Sequence, residues 1–214
     1  MILYYSPGAC SLADHIALHE AGLRFDRVRV DLKTRTTEDG RDFNRINPKG
    51  YVPALVFDDG EVLTENVAIL SWIADQEGET APGGRLSRYR RLEMLAFVST
   101  ELHKVFKPFF DPAAGAAERK RAAQAIGRRL QLIAERLHDP WLLGDRFTVA
   151  DAYLFVMLRW ARRFGIALPD ALSDYFARAR DRPAVQRALE EEGLGDEARS
   201  AAARPAGREQ RPDA

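Results

Sequence analysis

Residues 2–31, ILYYSPGACSLADHIALHEAGLRFDRVRVD, decide the fold of the first part of the chain. The opening four residues, 2–5, are apolar and aromatic, which is typical of a buried strand. After a Pro-Gly break, residues 11–21 carry leucine and isoleucine at helical spacing and end before a glycine, as helices commonly do. Residues 27–31 alternate with a period of two, which predicts another strand. The stretch therefore predicts a β-α-β unit.

The segment that follows adds a hairpin and a helix to this unit. Residues 38–45 predict a short helix. Residues 54–57 and 61–63 predict two strands, because the Asp-Asp-Gly sequence between them supplies the chemistry of a tight hairpin turn. Residues 65–76 then predict a helix with one apolar face. The order βαβαββα predicts a mixed, four-stranded sheet with helices on its faces.

The second half of the chain carries only helical patterns. A glycine- and proline-rich stretch at 77–85 predicts the linker that leads into it. The predicted helices are 87–110, 116–138, 149–164, 171–179 and 183–192. Thr148 and Asp151 match a capping box at the start of the third of these helices.

We therefore expect two domains, at residues 1–78 and 86–194. The tail, residues 195–214, contains no Val, Ile, Leu or aromatic residue, so we expect it to be disordered.

Composition excludes several classes of function. The 32 basic side chains cancel the 32 acidic ones, which argues against a nucleic-acid-binding protein. We expect no membrane association, because no apolar run is long enough to span a bilayer, and the N-terminus lacks the pattern of a signal peptide. The single cysteine, Cys10, cannot form an internal disulfide, and the prediction is a cytoplasmic protein. His15 and His19 could chelate a metal, but a structural role is favoured and no metal is predicted.

Cys10 is the first candidate for chemistry, because it follows the first strand and stands where the first helix begins. Free N–H groups and the helix dipole stabilise an anion at such a position. A thiol there can fall from a pKa near 8.5 to between about 3.5 and 7.5. The alternative is a small, buried apolar side chain with no chemical role.

Three further features are candidates, each with a plainer alternative. A cis bond between Val52 and Pro53 would let the Val52 backbone pair with a peptide as an added strand, although an ordinary trans bond is far commoner. Glu65 and Asn66 open a helix whose N-terminus can bind a carboxylate or can simply be capped. His103 could donate to a thiolate from the helical domain or could face core or solvent.

Taken together, these residues resemble the glutathione S-transferases, specifically the bacterial beta class. The matching segments are YSPGACSLA at 5–13, NPKGYVPAL at 47–55, DDG at 58–60, LTENVAI at 63–69, TELHK at 100–104 and GDRFTVADAYLF at 144–155. The resemblance extends over both predicted domains. It implies an α/β thioredoxin-like N-terminal domain followed by an all-α C-terminal domain, a cis bond before Pro53 and a homodimer.

The resemblance also implies roles for individual residues. Cys10 and His103 would be catalytic and lie beside the glutathione sulfur, where Cys10 could form a mixed disulfide. Glutathione would be bound by Arg35, Val52, Pro53, Glu65, Asn66 and Lys104. The candidates for an apolar pocket, most of which could instead be ordinary core, are Tyr5, Phe106, Phe109, Phe110 and Trp160.

The predicted function is therefore the transfer of glutathione, as co-substrate and without a further cofactor, to a small hydrophobic electrophile. Two alternatives stay open. One is a glutaredoxin-like thiol–disulfide oxidoreductase that uses Cys10 as its nucleophile. The other is a non-catalytic glutathione-binding or regulatory protein on the same fold, because a fold does not fix a function.

Overall fold

The computed structural model describes residues 1–76 and 84–195. Most of the predicted linker, residues 77–83, and the predicted disordered tail from residue 196 onward lie outside the described residues. The division into domains at residues 1–78 and 86–194 therefore stays a prediction.

The first half folds into a mixed sheet, and the sheet has one strand more than the sequence predicts. Its strands are β1 (Ile2–Tyr5), β2 (Asp26–Asp31), β3 (Thr36–Thr37), β4 (Ala54–Val56) and β5 (Val62–Thr64). They lie in the order β3-β2-β1-β4-β5, with β1 parallel to β2 and every other pair antiparallel. The thioredoxin-like arrangement is thereby confirmed, with a two-residue strand added at one edge.

A tight turn that follows the added strand replaces most of the helix predicted at 38–45. The Thr37 hydroxyl accepts a hydrogen bond from the Arg41 backbone N–H at 2.9 Å, and the Thr37 N–H donates to the Arg41 carbonyl at 2.9 Å. These bonds close a tight loop and compete with helix formation. Only Phe43–Arg45 forms a helical turn, of the 3₁₀ type.

Strand β1 separates two parts of the core because its side chains alternate. Leu3 faces the helices α1 (Leu12–Glu20) and α2 (Asn66–Gln76), whereas Tyr4 packs against Phe43 on the other side of the sheet. Helix α1 also packs against the helical half, so its side chains from Leu12 to Leu18 are all buried. The helix that begins beside Cys10 is therefore held between the sheet and the helical domain.

The helical half is organised around one buried helix. Its α-helices are α3 (Ser87–Phe97), α4 (Lys107–Phe110), α5 (Ala116–Arg136), α6 (Val149–Arg163), α7 (Asp170–Arg180) and α8 (Pro183–Glu191). Every residue of α6 from Val149 to Ala161 is buried. The predicted capping box is present, since the Thr148 N–H donates to Asp151 Oδ2 at 2.8 Å. Among the described residues, no helix has the length and apolar character needed to span a bilayer.

The single helix predicted at 87–110 is interrupted, and the interruption lies at the candidate catalytic histidine. Helix α3 gives way to a π-helical turn, Val98–Leu102, and then to a 3₁₀ turn, His103–Phe106, before α4. A π-helical turn holds one extra residue, so the side chains that follow are rotated by about 100° relative to a continuous α-helix. The rotation changes the direction in which His103 and Lys104 project.

Candidate active site

A cleft of about 570 Å³ lies between the sheet domain and the helical domain. Its walls come from the loop after β1, the chain before β4, the start of α2, the interrupted helix and α6. It is lined by Ser6, Pro7, Gly8, Ala9, Cys10, Leu32, Tyr51, Val52, Pro53, Glu65, Asn66, Val67, Ser99, His103, Lys104, Phe110, Tyr153, Trp160 and Arg163. The cleft thus brings together most of the residues that the sequence predicts, from both halves of the chain.

Cys10 lies in the cleft as a half-buried, neutral thiol. Its Sγ donates a hydrogen bond to the Val52 carbonyl at 3.5 Å. Burial raises the pKa of Cys10 to about 12, and the nearby carboxyl of Asp14 raises it further. The N–H groups of Cys10 and Ser11 favour the thiolate but do not offset the loss of solvation. The expectation that the helix start lowers the pKa of Cys10 is therefore wrong for this chain.

The loop also satisfies part of the first turn of α1, which limits what the helix start can contribute against the loss of solvation. The N–H of Leu12 donates to the Ala9 carbonyl at 3.1 Å, and the N–H of Ala13 donates to the Cys10 carbonyl at 3.0 Å. Two of the donors that would otherwise attract an anion therefore have partners. The position of a cysteine in the sequence does not reveal this competition.

Asn66 connects the cleft to a buried carboxyl beneath it. Its amide nitrogen donates to the Cys10 carbonyl and to Asp14 Oδ2, each at 2.9 Å. Both Asn66 and Asp14 are buried, and burial raises the pKa of Asp14 well above its usual range. The Asn66 amide nitrogen is thus committed to the chain around the start of α1, and the predicted contact of Asn66 with glutathione stays a prediction.

Glu65 supplies an anionic group at the rim of the cleft. Its Oε1 accepts hydrogen bonds from Lys49 Nζ at 2.6 Å and from the Tyr51 hydroxyl at 2.7 Å. The Lys49 hydrogen bond is the main cause that lowers the pKa of Glu65. Glu65 also has a φ of 77°, a left-handed conformation that is uncommon for a residue with a side chain and recurs at binding sites. The carboxylate is ionised at neutral pH and can receive an ammonium group.

The peptide bond between Val52 and Pro53 is cis, as the resemblance implies and against the commoner trans form. Val52 is buried, and its carbonyl accepts the Cys10 thiol, so the chain before β4 and the loop after β1 are joined at the floor of the cleft.

His103 is held as a neutral ring with one nitrogen already engaged. Its Nδ1 lies 2.6 Å from the Tyr153 hydroxyl. Burial lowers the pKa of His103 to about 4, and the charge of Lys104 lowers it further. Because burial raises the pKa of Tyr153, its hydroxyl keeps its proton and can donate it to Nδ1. A neutral imidazole that accepts at Nδ1 carries its hydrogen on Nε2, where it can donate to a ligand.

Two of the five predicted apolar-pocket residues line the cleft. Phe110 is 48% exposed, and its ring lies 4.7 Å from that of Trp160. Trp160 is itself fixed by a hydrogen bond from its Nε1 to the Gly8 carbonyl at 2.8 Å. These two rings give the cleft an apolar wall.

The other three, Tyr5, Phe106 and Phe109, do not line the cleft. Tyr5 and Phe106 are buried, with Tyr5 beside the His15 ring, and Phe109 stacks on Phe164 at 4.9 Å. They belong to the core because the strand alternation and the helix interruption turn them away from the cleft.

Arg35 does not line the cleft either. It is exposed, has a φ of 55° and lies against Gly50, where an added methyl group would come within 3.0 Å of its Nε. Its predicted contact with a glutathione carboxylate stays a prediction.

Comparison with known proteins gives the family. The model of the glutathione S-transferase N-terminal domain matches residues 9–76, and that of the C-terminal domain matches residues 97–187. The chain belongs to the glutathione S-transferase family. It is 44% identical over 200 residues to the glutathione S-transferase GstA of Escherichia coli O157:H7, covering 91% of this chain and all of that protein.

Two solved glutathione S-transferases have the same architecture. A sphingomonad enzyme complexed with glutathione is 47% identical, with a TM-score of 0.85, over 91% of this chain and 100% of that one. The beta-class enzyme of Sphingomonas chungbukensis is 46% identical, with a TM-score of 0.83 and the same coverage. The beta-class prediction and the predicted fold class are confirmed.

Ten cleft residues of this glutathione S-transferase escaped the sequence predictions: Ser6, Pro7, Gly8, Ala9, Leu32, Tyr51, Val67, Ser99, Tyr153 and Arg163. Spacing could have indicated two of them. Tyr153 precedes Trp160 by seven residues and so lies on the same face of α6, and Ser99 precedes His103 by four. Tyr51 directly precedes the Val-Pro pair and could have been included with it.

One cluster in the glutathione S-transferase fold has metal-ligand chemistry but is already neutralised. The ligand atoms of His15, His19 and Glu191 lie within 4.8 Å of one another. The Glu191 carboxylate also pairs with Arg27 at 3.2 Å and with Arg187 at 3.1 Å. Because two guanidinium groups already neutralise the acidic member, the arrangement is better described as an ion-pair network that joins α1 to α8.

Proposed function

We propose that the protein conjugates glutathione to a small, apolar electrophile in this cleft. The observation that carries the proposal is that one cleft holds an anionic carboxylate at Glu65, a helix start at Asn66 and two neutral donors at Cys10 and His103. The γ-glutamyl end of glutathione carries an ammonium and a carboxylate, which suit Glu65 and the α2 N-terminus respectively. The solved complex of the sphingomonad relative with glutathione supports the same ligand.

In this mechanism the nucleophile is the sulfur of glutathione rather than Cys10. The glutathione thiol loses its proton to solvent, and the resulting thiolate attacks the electrophilic carbon. A carbon–sulfur bond forms while the bond to the leaving group breaks, and the leaving group departs with the electron pair. The Nε2–H of His103 donates to the thiolate, and the ammonium of Lys104 favours its charge. When glutathione binds, the S–H of Cys10 turns from the Val52 carbonyl to the thiolate and becomes a second donor.

The glutaredoxin-like alternative requires a different state of Cys10. Thiol–disulfide exchange proceeds through a thiolate, and a pKa of about 12 leaves very little thiolate at neutral pH. The structure therefore favours Cys10 as a hydrogen-bond donor, and a mixed disulfide with glutathione becomes an outcome of the test.

The proposed function includes a homodimer. An exposed apolar stripe, made of Leu86, Tyr89 and Leu92, lies at the start and along one side of α3, with exposures of 46%, 63% and 44%. Exposed apolar patches of this kind mark interaction surfaces. The predicted cytoplasmic location stays a prediction.

The test is a conjugation assay with glutathione and an aryl chloride activated by two nitro groups, with the thioether identified by mass spectrometry. We expect turnover in the natural chain and a loss of about tenfold or more in kcat/KM for glutathione in Glu65→Gln, because the ammonium loses its counter-charge. Glu61→Gln is the matched control, since Glu61 is exposed and lies outside the cleft.

Two outcomes would contradict the proposal. Binding of glutathione without turnover of any electrophile in a panel would favour the non-catalytic alternative. Efficient reduction of a glutathione mixed disulfide, abolished in Cys10→Ser while conjugation is absent, would favour the oxidoreductase.

A further inference from the structure

The helical domain holds the loop that carries Cys10 through two hydrogen bonds to one loop residue, Gly8. The N–H of Gly8 donates to Glu192 Oε2 at 2.8 Å, and the carbonyl of Gly8 accepts from Trp160 Nε1 at 2.8 Å. Gly8 has a φ of 69°, a conformation that glycine adopts readily, and it precedes Cys10 by two residues. The position of the loop therefore depends on contacts with the helical domain as well as on the loop's own sequence.

Glu192 joins this loop to the helix on the other side of Cys10. Its side chain is fully buried, and its second oxygen, Oε1, lies 3.0 Å from Nδ1 of His15, which is also fully buried. His15 belongs to α1, the helix that begins just after Cys10. One carboxylate thus contacts the chain two residues before Cys10 and five residues after it.

Burying the side-chain carboxylate of Glu192 at this position costs free energy. Burial of an ionised group costs free energy unless its hydrogen bonds are well formed, and an apolar residue of the same volume often serves stability as well or better. A carboxylate does give directional, charge-assisted hydrogen bonds that fix two segments relative to each other. Each of the residues 6–10 lines the cleft, so a displaced loop displaces one wall of the site.

We propose that Glu192 is a positioning residue for the glutathione site, which acts from the end of α8 by fixing the loop around Cys10 through Gly8 and His15. Glu192 is not among the residues that line the cleft, so it does not contact the reacting atoms. The part that concerns glutathione rests on the proposed function, whereas the placement of Cys10 can be tested without glutathione.

The experiment compares Glu192→Ala, Glu192→Gln and the control Glu190→Gln. Glu190 is an exposed glutamate two residues earlier on α8, and its side chain does not line the cleft. Three quantities are measured on the full chain: the rate at which iodoacetamide alkylates Cys10, the KM for glutathione against kcat in the conjugation assay, and the melting temperature.

We expect a freed loop to expose Cys10, so that alkylation in Glu192→Ala is about tenfold faster. The KM for glutathione should rise about tenfold while kcat at saturating glutathione changes less, which corresponds to about 1.4 kcal/mol of lost binding. Glu192→Gln should recover much of both values, since its amide oxygen can still accept from the Gly8 N–H. Glu190→Gln should stay within about twofold of the natural chain.

The inference is overturned if alkylation and KM stay within about twofold in Glu192→Ala while only the melting temperature falls, because Glu192 would then merely brace the fold. Should Glu192→Ala fail to fold, Glu192→Met decides by the same criteria, because it keeps the volume of the side chain but not its hydrogen bonds to Gly8 and His15. If the natural chain shows no glutathione-dependent activity, the proposed function fails, but the alkylation rates still decide whether Glu192 positions Cys10.

Discussion

Protonation of His103 should destabilise the folded protein, and the size of the effect follows from its surroundings. The ring is half-buried against Tyr153 and Trp160, and its pKa is lowered from 6.5 to about 4. In the unfolded chain the same ring takes up a proton at its ordinary pKa. Between these two values the unfolded state binds a proton that the folded state does not, so the free energy of unfolding rises with pH across this window.

The magnitude follows from the two pKa values. One unit of difference in pKa is worth about 1.4 kcal/mol, so the whole window contributes about 3 kcal/mol. The contribution is complete above about pH 6.5 and is lost as pH falls towards about 4. About 2 kcal/mol of it should disappear between about pH 7.5 and pH 5, where few carboxyl groups have yet titrated.

The assay is urea unfolding followed by tryptophan fluorescence at these two pH values, in the natural chain and in His103→Gln. The variant loses the Tyr153 hydrogen bond at both values, so only the difference between them reports titration. We expect the natural chain to lose about 2 kcal/mol more than the variant on acidification. His138→Gln, at an exposed histidine, should behave like the natural chain. Parallel losses in the natural chain and His103→Gln would refute the assignment of a half-buried, neutral His103.

Three further predictions concern the thiol, the buried carboxyl and the dimer. At about pH 7.5 iodoacetamide should alkylate Cys10 at least about a hundredfold more slowly than free cysteine, and alkylation at the free rate would contradict its raised pKa. The pKa of Asp14 is raised in the folded state, so the free energy of unfolding falls as pH rises through that pKa. In urea unfolding, Asp14→Asn should be more stable than the natural chain at about pH 8. It should lose this advantage at low pH. Tyr89→Glu should shift light scattering from dimer to monomer at micromolar concentration, whereas Glu93→Gln on the same helix should not; a monomeric natural chain would refute the proposed interface.

Much of the fold could be predicted because its signals are local. The alternation at the first two strands, the Asp-Asp-Gly turn and the capping box at Thr148 each depend on residues a few positions apart. Strand β3 has only two residues, and the turn after it is closed by the Thr37 hydroxyl, so no periodic pattern in the sequence predicts it. The π-helical turn at Val98–Leu102 left the apolar stripe of its helix continuous, and the sequence therefore predicts one long helix.

The candidate site was harder to predict where its properties depend on distant segments. The residue types of Cys10, His103 and Glu65 could be proposed from motifs, and the cleft does contain all three. Their charge states could not be predicted from motifs. The neutral forms of Cys10 and His103 depend on contacts with distant segments of the chain, among them Val52 and Tyr153. The support from Glu192 is separated from Gly8 by most of the chain and has no local signal.

The neutral state of Cys10 changes what the residue can contribute. A thiolate at this position would face the charge of Glu65 and would repel a second sulfur anion brought by glutathione. A protonated thiol has no such charge and can turn its S–H from the Val52 carbonyl to that anion, beside the Nε2–H of His103. The burial that suppresses Cys10 as a nucleophile therefore suits it to stabilise the sulfur of the ligand. On this argument Cys10→Ser, which keeps a hydroxyl donor, should retain much more conjugation activity than Cys10→Ala.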